Sequence, residues 1–224
     1  MSWTDRIAFE NILQLKRDFK IKTAVVTGTG KGGDAELYGH YFEEVYTIEK
    51  DYETFLIARD RLSYLKNVKH YWLDSAEFLR QFRWIADGTV LLYLDAHYYD
   101  PTLEQKWVVI RELQALKGFK NCVIVVHDYD NGKFGHLVYA GEHLNWKVIG
   151  EHIQKVNPDF NYYVNDVTDI YNENTVRKLP IHVDEYIIDN IQYANSSEVK
   201  RQRGILFATP KPLDLNKYKL IEGR

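Results

Sequence analysis

The sequence has few of the features that mark secreted, membrane-spanning or nucleic-acid-binding chains. Its one cysteine, Cys122, excludes an internal disulfide framework, so we expect a reducing, cytoplasmic location. No run of about 18 apolar residues occurs, so neither a transmembrane helix nor a membrane partner is expected. The first residues also lack a signal-peptide pattern. With 29 Lys and Arg against 32 Asp and Glu, the net charge is -3, and no basic field is available for nucleic acid.

What the sequence does have is the composition and strand–helix alternation of an α/β domain. Its 224 residues are 45% hydrophobic and 27% charged, which is typical of a globular chain that buries its core without disulfides. Short β-branched runs alternate with helical segments of roughly 10–15 residues. This alternation predicts a doubly wound, mostly parallel sheet of seven strands with helices on both faces.

An apolar run that ends in glycines, over residues 24–34, is the centre of the functional prediction. The β-branched residues predict a buried strand, and Gly28, Gly30 and Gly32 predict a tight turn where the backbone approaches a ligand closely. The N–H groups at the start of the next helix then face the turn. This arrangement is typical of nucleotide-binding α/β sheets, although glycine-rich turns also occur without a ligand.

Polar side chains also follow the second and third predicted strands. Glu49 comes about 20 residues after the glycine turn, a spacing that lets its carboxylate accept hydrogen bonds from ribose hydroxyls. Asp74 and Ser75 follow the third strand. They either bind an adenine amino group or cap the next helix, and the two roles are compatible.

Two carboxylates and two imidazoles follow the fourth and fifth predicted strands, as Asp95, His97, His127 and Asp128. The carboxyl ends of parallel strands meet at one edge of a sheet, so these groups are expected to converge. They suit Mg²⁺ or Mn²⁺ through oxygens, or Fe²⁺ through His and carboxylate. They equally suit an acid–base pair without a metal. Asp130 is interpreted as a loop acid.

Five ordered motifs resemble the Rossmann-like class of S-adenosylmethionine-dependent methyltransferases. They are VTGTGKG at residues 26–32, VYTIE at 45–49, LDS at 73–75, YLDAH at 93–97 and VHD at 126–128. The last two are most similar to macrocin-type O-methyltransferases and cephalosporin-hydroxylase-like proteins. The resemblance implies a methyltransferase fold whose last strand is antiparallel. It also implies O-methylation, with S-adenosylmethionine as cofactor and with or without Mg²⁺ or another divalent metal, of a sugar, natural-product-like or other polyhydroxylated small molecule.

The resemblance also assigns roles to individual residues. The implied cofactor-binding residues are Thr27, Gly28, Thr29, Gly30, Glu49, Asp74, Ser75 and Asp95. Within this set the glycine turn holds the methionine part, Glu49 the ribose, and Asp74 with Ser75 the adenine. Asp95, His127 and Asp128 correspond to a metal site. His97 is the candidate base for an acceptor hydroxyl, and it forms the implied catalytic group with Asp95 and His127.

One departure from this family keeps other functions open. The family usually has an acid at the position of Val26. A non-catalytic relative that binds a ligand or partner is therefore an alternative. Residues 128–130, Asp-Tyr-Asp, also resemble the DxD signature of metal-dependent glycosyltransferases, although the glycine turn and Glu49 argue against that reading. A homodimer is an open alternative to a monomer.

We predict one domain over residues 1–224, in four parts. Residues 1–20 form an N-terminal helix and residues 21–165 the cofactor-binding core. Residues 166–203 form an irregular insertion that shapes the acceptor side or a subunit interface, since long loops in compact domains are commonly functional. Residues 204–210 form the last strand.

Overall fold

Alternating helices and strands build a mixed β-sheet that is covered on both faces. The computed structural model describes residues 6–83, 86–96, 106–130, 138–139, 142–165, 204–213 and 218–220. The helices are α1 (Arg6–Asp18), α2 (Gly33–Tyr41), α3 (Tyr52–Leu62), α4 (Ser75–Phe82), α5 (Val108–Ala115) and α6 (Trp146–Val156). The strands are β1 (Thr23–Thr27), β2 (Glu44–Glu49), β3 (Val68–Trp72), β4 (Val90–Leu94), β5 (Cys122–Val126), β6 (Val138–Tyr139), β7 (Glu142–His143), β8 (Asn161–Asn165), β9 (Leu206–Thr209) and β10 (Tyr218–Leu220).

Within the described residues, eight strands form one sheet in the order β10-β8-β9-β5-β4-β1-β2-β3. The pairs from β5 to β3 are all parallel, whereas β9 is antiparallel to both β5 and β8. The seven predicted strands are therefore confirmed, with the last of them, β9, antiparallel. The sequence analysis did not predict β10, which adds an antiparallel edge next to β8, or the separate β6–β7 hairpin.

The sheet separates two apolar layers because its central strands are buried on both faces. Every residue of β4 and β5 is buried. Along β4, Leu92 and Leu94 belong to the apolar cluster that includes α4, α5 and α6, whereas Leu91 and Tyr93 belong to the cluster that includes α1 and α2. This alternation fixes the strand register, because a slip of one residue would exchange the two faces.

The predicted N-terminal helix is present as α1, and the predicted insertion at residues 166–203 lies outside the described residues. None of the helices in the described part of the chain combines the length and the apolar character that crossing a bilayer requires.

The turn after β1 brings two backbone segments into direct contact. Gly28 has φ +70°, and a Cβ at this position would lie 2.5 Å from the Asp95 carbonyl oxygen and 2.7 Å from the Ala96 Cα. Only glycine meets both conditions, since it tolerates positive φ and has no Cβ. The close approach places the end of β1 against the end of β4, where the cleft described below begins.

We predict that Gly28→Ala destabilises the protein more than Gly88→Ala does. Both glycines have φ +70°, but a Cβ at Gly88 would meet no atom within 4 Å. The positive φ alone should therefore cost about 1–2 kcal/mol at either position. The backbone clash should add roughly 1–3 kcal/mol at Gly28. Urea unfolding of both variants measures the difference, and equal losses of free energy would contradict the close approach.

Candidate functional site

A cleft of about 520 Å³ opens at the carboxyl ends of β1, β2 and β4. Its lining residues are Gly28, Gly30, Ile48, Glu49, Lys50, Asp51, Leu73, Asp74, Ser75, Asp95, Ala96 and Val108. The volume lies within the range of small-molecule sites. Six of the eight residues predicted to bind a cofactor line this cleft, namely Gly28, Gly30, Glu49, Asp74, Ser75 and Asp95.

The Glu49 carboxylate is held in place by three backbone N–H groups. Gly30 N donates to Oε2 at 2.9 Å, and the N–H groups of Lys50 and Asp51 donate to Oε1 at 2.9 Å each. The contact with Gly30 joins the end of β2 to the glycine turn. Each carboxylate oxygen can accept more than one hydrogen bond, so acceptor capacity remains for hydroxyl groups in the cleft. The residues that follow Glu49 also line the cleft, which the sequence analysis missed.

The two threonines of the glycine turn do not line the cleft, because their side chains lie behind it. Thr27 Oγ1 accepts a hydrogen bond from Asp95 N at 3.2 Å. Thr29 Oγ1 lies 2.6 Å from Thr47 Oγ1, whose hydroxyl donates to the Val26 carbonyl. Because Thr47 has only one hydroxyl hydrogen, Thr29 must be the donor in their pair. Both side chains therefore hold strands together, and a contact of either residue with a cofactor stays a prediction.

Asp74 performs the capping role that the sequence predicted. Its Oδ1 accepts hydrogen bonds from the N–H groups of Ala76 and Glu77 at 3.1 and 3.2 Å, which caps α4. The Arg111 guanidinium of α5 also contacts both Asp74 oxygens, at 3.1 and 3.3 Å. The cap is confirmed, and the contact of Asp74 and Ser75 with an adenine stays a prediction.

Three of the four groups predicted to converge at β4 and β5 do so. His127 Nδ1 lies 2.8 Å from Asp95 Oδ1 and 3.5 Å from Asp128 Oδ2. All three residues are at most 4% exposed. Burial alone would lower the pKa of His127, but the Asp95 and Asp128 carboxylates outweigh it and hold that pKa well above its usual value. The imidazolium thus neutralises part of the buried negative charge.

Asp34, in the first turn of α2, extends this cluster and was missed by the sequence analysis. Burial, together with the neighbouring Asp95 carboxylate with which Asp34 shares a hydrogen bond, raises the pKa of Asp34 from 3.8 to about 7. The nearby His127 acts in the opposite direction. An acid in the first turn of a helix is common, so only the packing of α2 against β4 reveals that Asp34 belongs to the site.

The cluster of Asp95, His127 and Asp128 has the donors that a divalent cation requires. One ligand atom from each residue lies within 4.8 Å of the others. Carboxylate and imidazole donors suit Mg²⁺, Mn²⁺ or Fe²⁺. A cation here would replace the proton of His127 as the compensating positive charge. The residues therefore fit a metal, which stays a prediction.

The remaining site predictions concern His97 and Asp130. His97 lies outside the described residues, so its role as a base stays a prediction. Asp130 Oδ2 lies 2.9 Å from His143 Nδ1. Asp128 and Asp130 therefore contact different histidines, and the buried Tyr129 lies between them in sequence. This pairing gives the DxD reading no added support.

No protein-family model and no curated protein sequence matches this chain. Solved structures do match its fold. The methyltransferase domain of bacterial CtHen1-CN is 11% identical, with 90% of this chain and 96% of that chain covered and a TM-score of 0.54. A SAM-dependent methyltransferase from Anabaena variabilis is 15% identical, with 93% and 84% covered and a TM-score of 0.52. A protein assigned as an O-methyltransferase from Klebsiella pneumoniae is 12% identical, with 91% and 80% covered and a TM-score of 0.50.

This chain has the S-adenosylmethionine-dependent methyltransferase fold. In this methyltransferase fold, Val26 is fully buried in the apolar cluster that also contains Tyr38 and Tyr93. An acid from α2 lies close to that cluster: burial raises the pKa of Tyr38, and the carboxylates of Asp34 and Asp95 raise it further. The position where the family that the sequence resembles usually has an acid is thus apolar here, and an acid from another element lies close by.

We predict that Asp34→Asn stabilises the protein at pH 8 and that the gain disappears as the pH falls. A raised folded-state pKa means that the folded state holds the proton more tightly than the unfolded state. Wild-type stability therefore declines as the pH rises from 3.8 towards about 7. Asparagine resembles the protonated acid and avoids this decline, so the gain above pH 7 should reach roughly 2–4 kcal/mol.

Urea unfolding at several pH values between 4 and 8 measures this effect. Glu53→Gln, a change of an exposed acid in the first turn of α3, is the control and should show little dependence on pH. A stability loss for Asp34→Asn at pH 8 would contradict the raised pKa of Asp34 and its hydrogen bond with Asp95.

Proposed function

We propose that this protein is an S-adenosylmethionine-dependent methyltransferase that acts on a hydroxyl oxygen of a sugar or another polyhydroxylated small molecule. The observation that carries the proposal is the Glu49 carboxylate, fixed by three backbone N–H groups at the wall of the cleft. A carboxylate at the end of the second strand suits recognition of ribose hydroxyls. Many nucleotides contain a ribose, and the methyltransferase fold favours S-adenosylmethionine among them.

We propose one orientation for the cofactor in the cleft. The ribose hydroxyls donate to Glu49, and the adenine lies towards Leu73, Asp74 and Ser75 at the end of β3. The methionine part lies on the glycine turn and extends towards Asp95. When bound, the cofactor supplies a sulfonium methyl group that is open to in-line attack by an acceptor oxygen. The protein contributes mainly by aligning the two reactants.

Asp34 compensates for the apolar residue at Val26. The methionine ammonium group needs a nearby negative charge, and Val26 cannot supply one. Asp34 and Asp95 share a hydrogen bond beside the glycine turn. Because the pKa of Asp34 is about 7, the total negative charge of the pair changes near neutral pH. A bound ammonium group would favour the ionised form of Asp34. This arrangement supports catalytic competence over a purely structural role for the fold.

A divalent metal at Asp95, His127 and Asp128 is part of the proposal. Such a metal would act as a Lewis acid and lower the pKa of the acceptor hydroxyl. The two buried carboxylates require a compensating positive charge, which either a protonated His127 or a metal would supply. His97 is proposed to accept the acceptor's proton.

The acceptor class rests on the resemblance to macrocin-type O-methyltransferases. The Klebsiella pneumoniae protein assigned as an O-methyltransferase, which shares the fold, agrees with methylation of an oxygen. A homodimer is part of the same proposal. A glycosyltransferase and a non-catalytic relative are the alternatives.

We predict that Glu49→Gln weakens binding of S-adenosylhomocysteine by about 10- to 100-fold while the protein stays folded. The amide removes a charged acceptor from the ribose, and such hydrogen bonds contribute about 1.5–3 kcal/mol. Isothermal titration calorimetry measures the affinity, and circular dichroism checks the fold. Glu53→Gln, an acid-to-amide change on the neighbouring helix, is the matched control and should bind like the wild type.

Titration of the wild type with a uridine diphosphate sugar distinguishes the alternatives. Binding of the nucleotide sugar without binding of S-adenosylhomocysteine would favour the glycosyltransferase. Failure of both to bind would favour the non-catalytic relative. Equal affinity of Glu49→Gln and the wild type for S-adenosylhomocysteine would remove Glu49 from the cofactor site.

We predict that the protein binds Mn²⁺ and that Asp95→Asn removes this binding whereas Asp130→Asn does not. Asp95 belongs to the buried donor cluster, and Asp130 instead contacts His143. Because a cation competes with the proton of His127, the affinity should rise with pH. Electron paramagnetic resonance of free Mn²⁺ measures the binding. Loss of binding in Asp130→Asn alone would support the DxD reading.

A further inference from the structure

The exposed large apolar side chains of the described residues all lie in one stretch of the chain, residues 52–72. They are Tyr52, Ile57, Tyr64, Tyr71 and Trp72, with exposed fractions between 38% and 57%. This stretch contains α3 and β3, and β3 is the edge of the sheet opposite β10. Tyr71 contacts Phe78 of α4 and Trp72 contacts Tyr52 of α3, so exposed rings flank the β3 edge on both faces of the sheet. Exposed apolar side chains beside an open strand edge favour an interaction surface.

The backbone N–H and C=O groups of β3 point alternately towards β2 and away from the sheet. The Asn67 carbonyl accepts from Val45 N at 2.9 Å, and Leu73 N donates to the Glu49 carbonyl at 3.0 Å. Since N–H and C=O directions alternate along a strand, residues 67, 69, 71 and 73 face β2. The N–H and C=O groups of Val68, His70 and Trp72 therefore point away from β2, where no described strand pairs with them. Of these groups, the Val68 N–H already donates to the Leu65 carbonyl at 3.3 Å.

The usual protection of an edge strand is weak on β3. Proteins block such edges with proline, with a bulge or with a charged side chain that extends outward. The sequence of β3, VKHYW, has no proline, and its pairing with β2 runs without a bulge. Its one charged side chain, Lys69, is drawn back over β2, where it pairs with Glu44 and lies 4.9 Å from the centre of the Tyr46 ring.

We propose that β3 pairs with β3 of a second copy of this chain, antiparallel and centred on His70. The three outward residues are symmetric about His70, so a two-fold axis there places His70 opposite His70 and Val68 opposite Trp72. Four hydrogen bonds then join the copies: two between the His70 backbones, and one from each Trp72 N–H to the Val68 carbonyl of the other copy. The surface is self-complementary in this register, which is what an isologous dimer requires.

The side chains suit the same register. Lys69 lies opposite Tyr71 of the second copy in the closely spaced, non-hydrogen-bonded position, where a lysine stem packs on an aromatic ring. Val68 lies opposite Trp72, an aliphatic–aromatic pair that stabilises sheets. The two His70 rings meet at the axis, and burial lowers the pKa of His70 to about 4, so both rings are neutral at pH 7. The dimer thus brings no like charges together at the axis.

Disulfide trapping tests the register in the full-length protein. Residues opposite each other in a hydrogen-bonded antiparallel pair have Cα atoms about 5.5 Å apart, which a disulfide can bridge. His70→Cys should therefore form a covalent dimer on mild oxidation. The native Cys122 is fully buried and does not interfere. Lys69→Cys is the matched control, because two copies of residue 69 lie beyond the roughly 7 Å limit for a disulfide.

A pair of variants at Tyr71 tests the contact across the interface. Tyr71→Glu faces the partner's Lys69 with an opposite charge, whereas Tyr71→Lys faces it with a like charge. Sedimentation equilibrium should show a dimer for the wild type, and dimerisation of Tyr71→Lys should be weaker than that of Tyr71→Glu by about tenfold or more.

A wild type that stays monomeric at high micromolar concentration would overturn the proposal, whether the edge is covered by another part of the chain or awaits a different protein. A dimer in which His70→Cys and Lys69→Cys cross-link at equal rates, or in which the two Tyr71 variants dimerise equally, would also overturn it. Circular dichroism of each variant establishes that the sheet remains folded.

Discussion

The arrangement of the cleft depends on one carboxylate, that of Glu49. Because it accepts hydrogen bonds from the N–H groups of Gly30, Lys50 and Asp51, it fixes the end of β2, the start of the next loop and the glycine turn together. Three donors on one side chain leave little freedom to the surrounding backbone, so the cleft wall is formed before any ligand arrives. Preorganisation of this kind lowers the entropic cost of binding. It is the physical basis for placing a ribose there.

A second constraint comes from the buried charges at the ends of β4 and β5. Asp95 and Asp128 are almost fully buried, and burying unpaired charge is costly. His127 offsets that cost as an imidazolium. Asp34 holds a further proton, because its pKa is raised to about 7. A bound metal cation would displace the proton of His127. A bound ammonium group would displace the proton of Asp34. The cluster thus connects the stability of the fold to the ligands proposed for it.

Much of the fold, and part of the site, follows from local sequence. Apolar runs that stop at Gly28, Glu49 and Asp95 identify both the strands and their polar ends, and a parallel sheet necessarily aligns those ends. Asp34 could not be predicted in this way, because its place beside Asp95 results from the tertiary packing of α2, in which Tyr38 contacts Tyr93 of β4. Val108 lines the cleft although it lies far beyond the end of β4 in sequence. The unpredicted β10 pairs with β8 across a long sequence separation, which no local pattern encodes.

The most direct test of the account is a crystal structure of the protein grown with S-adenosylhomocysteine. The account predicts density in the cleft, with the ribose hydroxyls within hydrogen-bonding distance of the Glu49 carboxylate, the adenine beside Asp74 and Ser75, and the homocysteine on the glycine turn. Density for the ligand at any other place, or a cleft that stays empty at saturating ligand concentration, would contradict it.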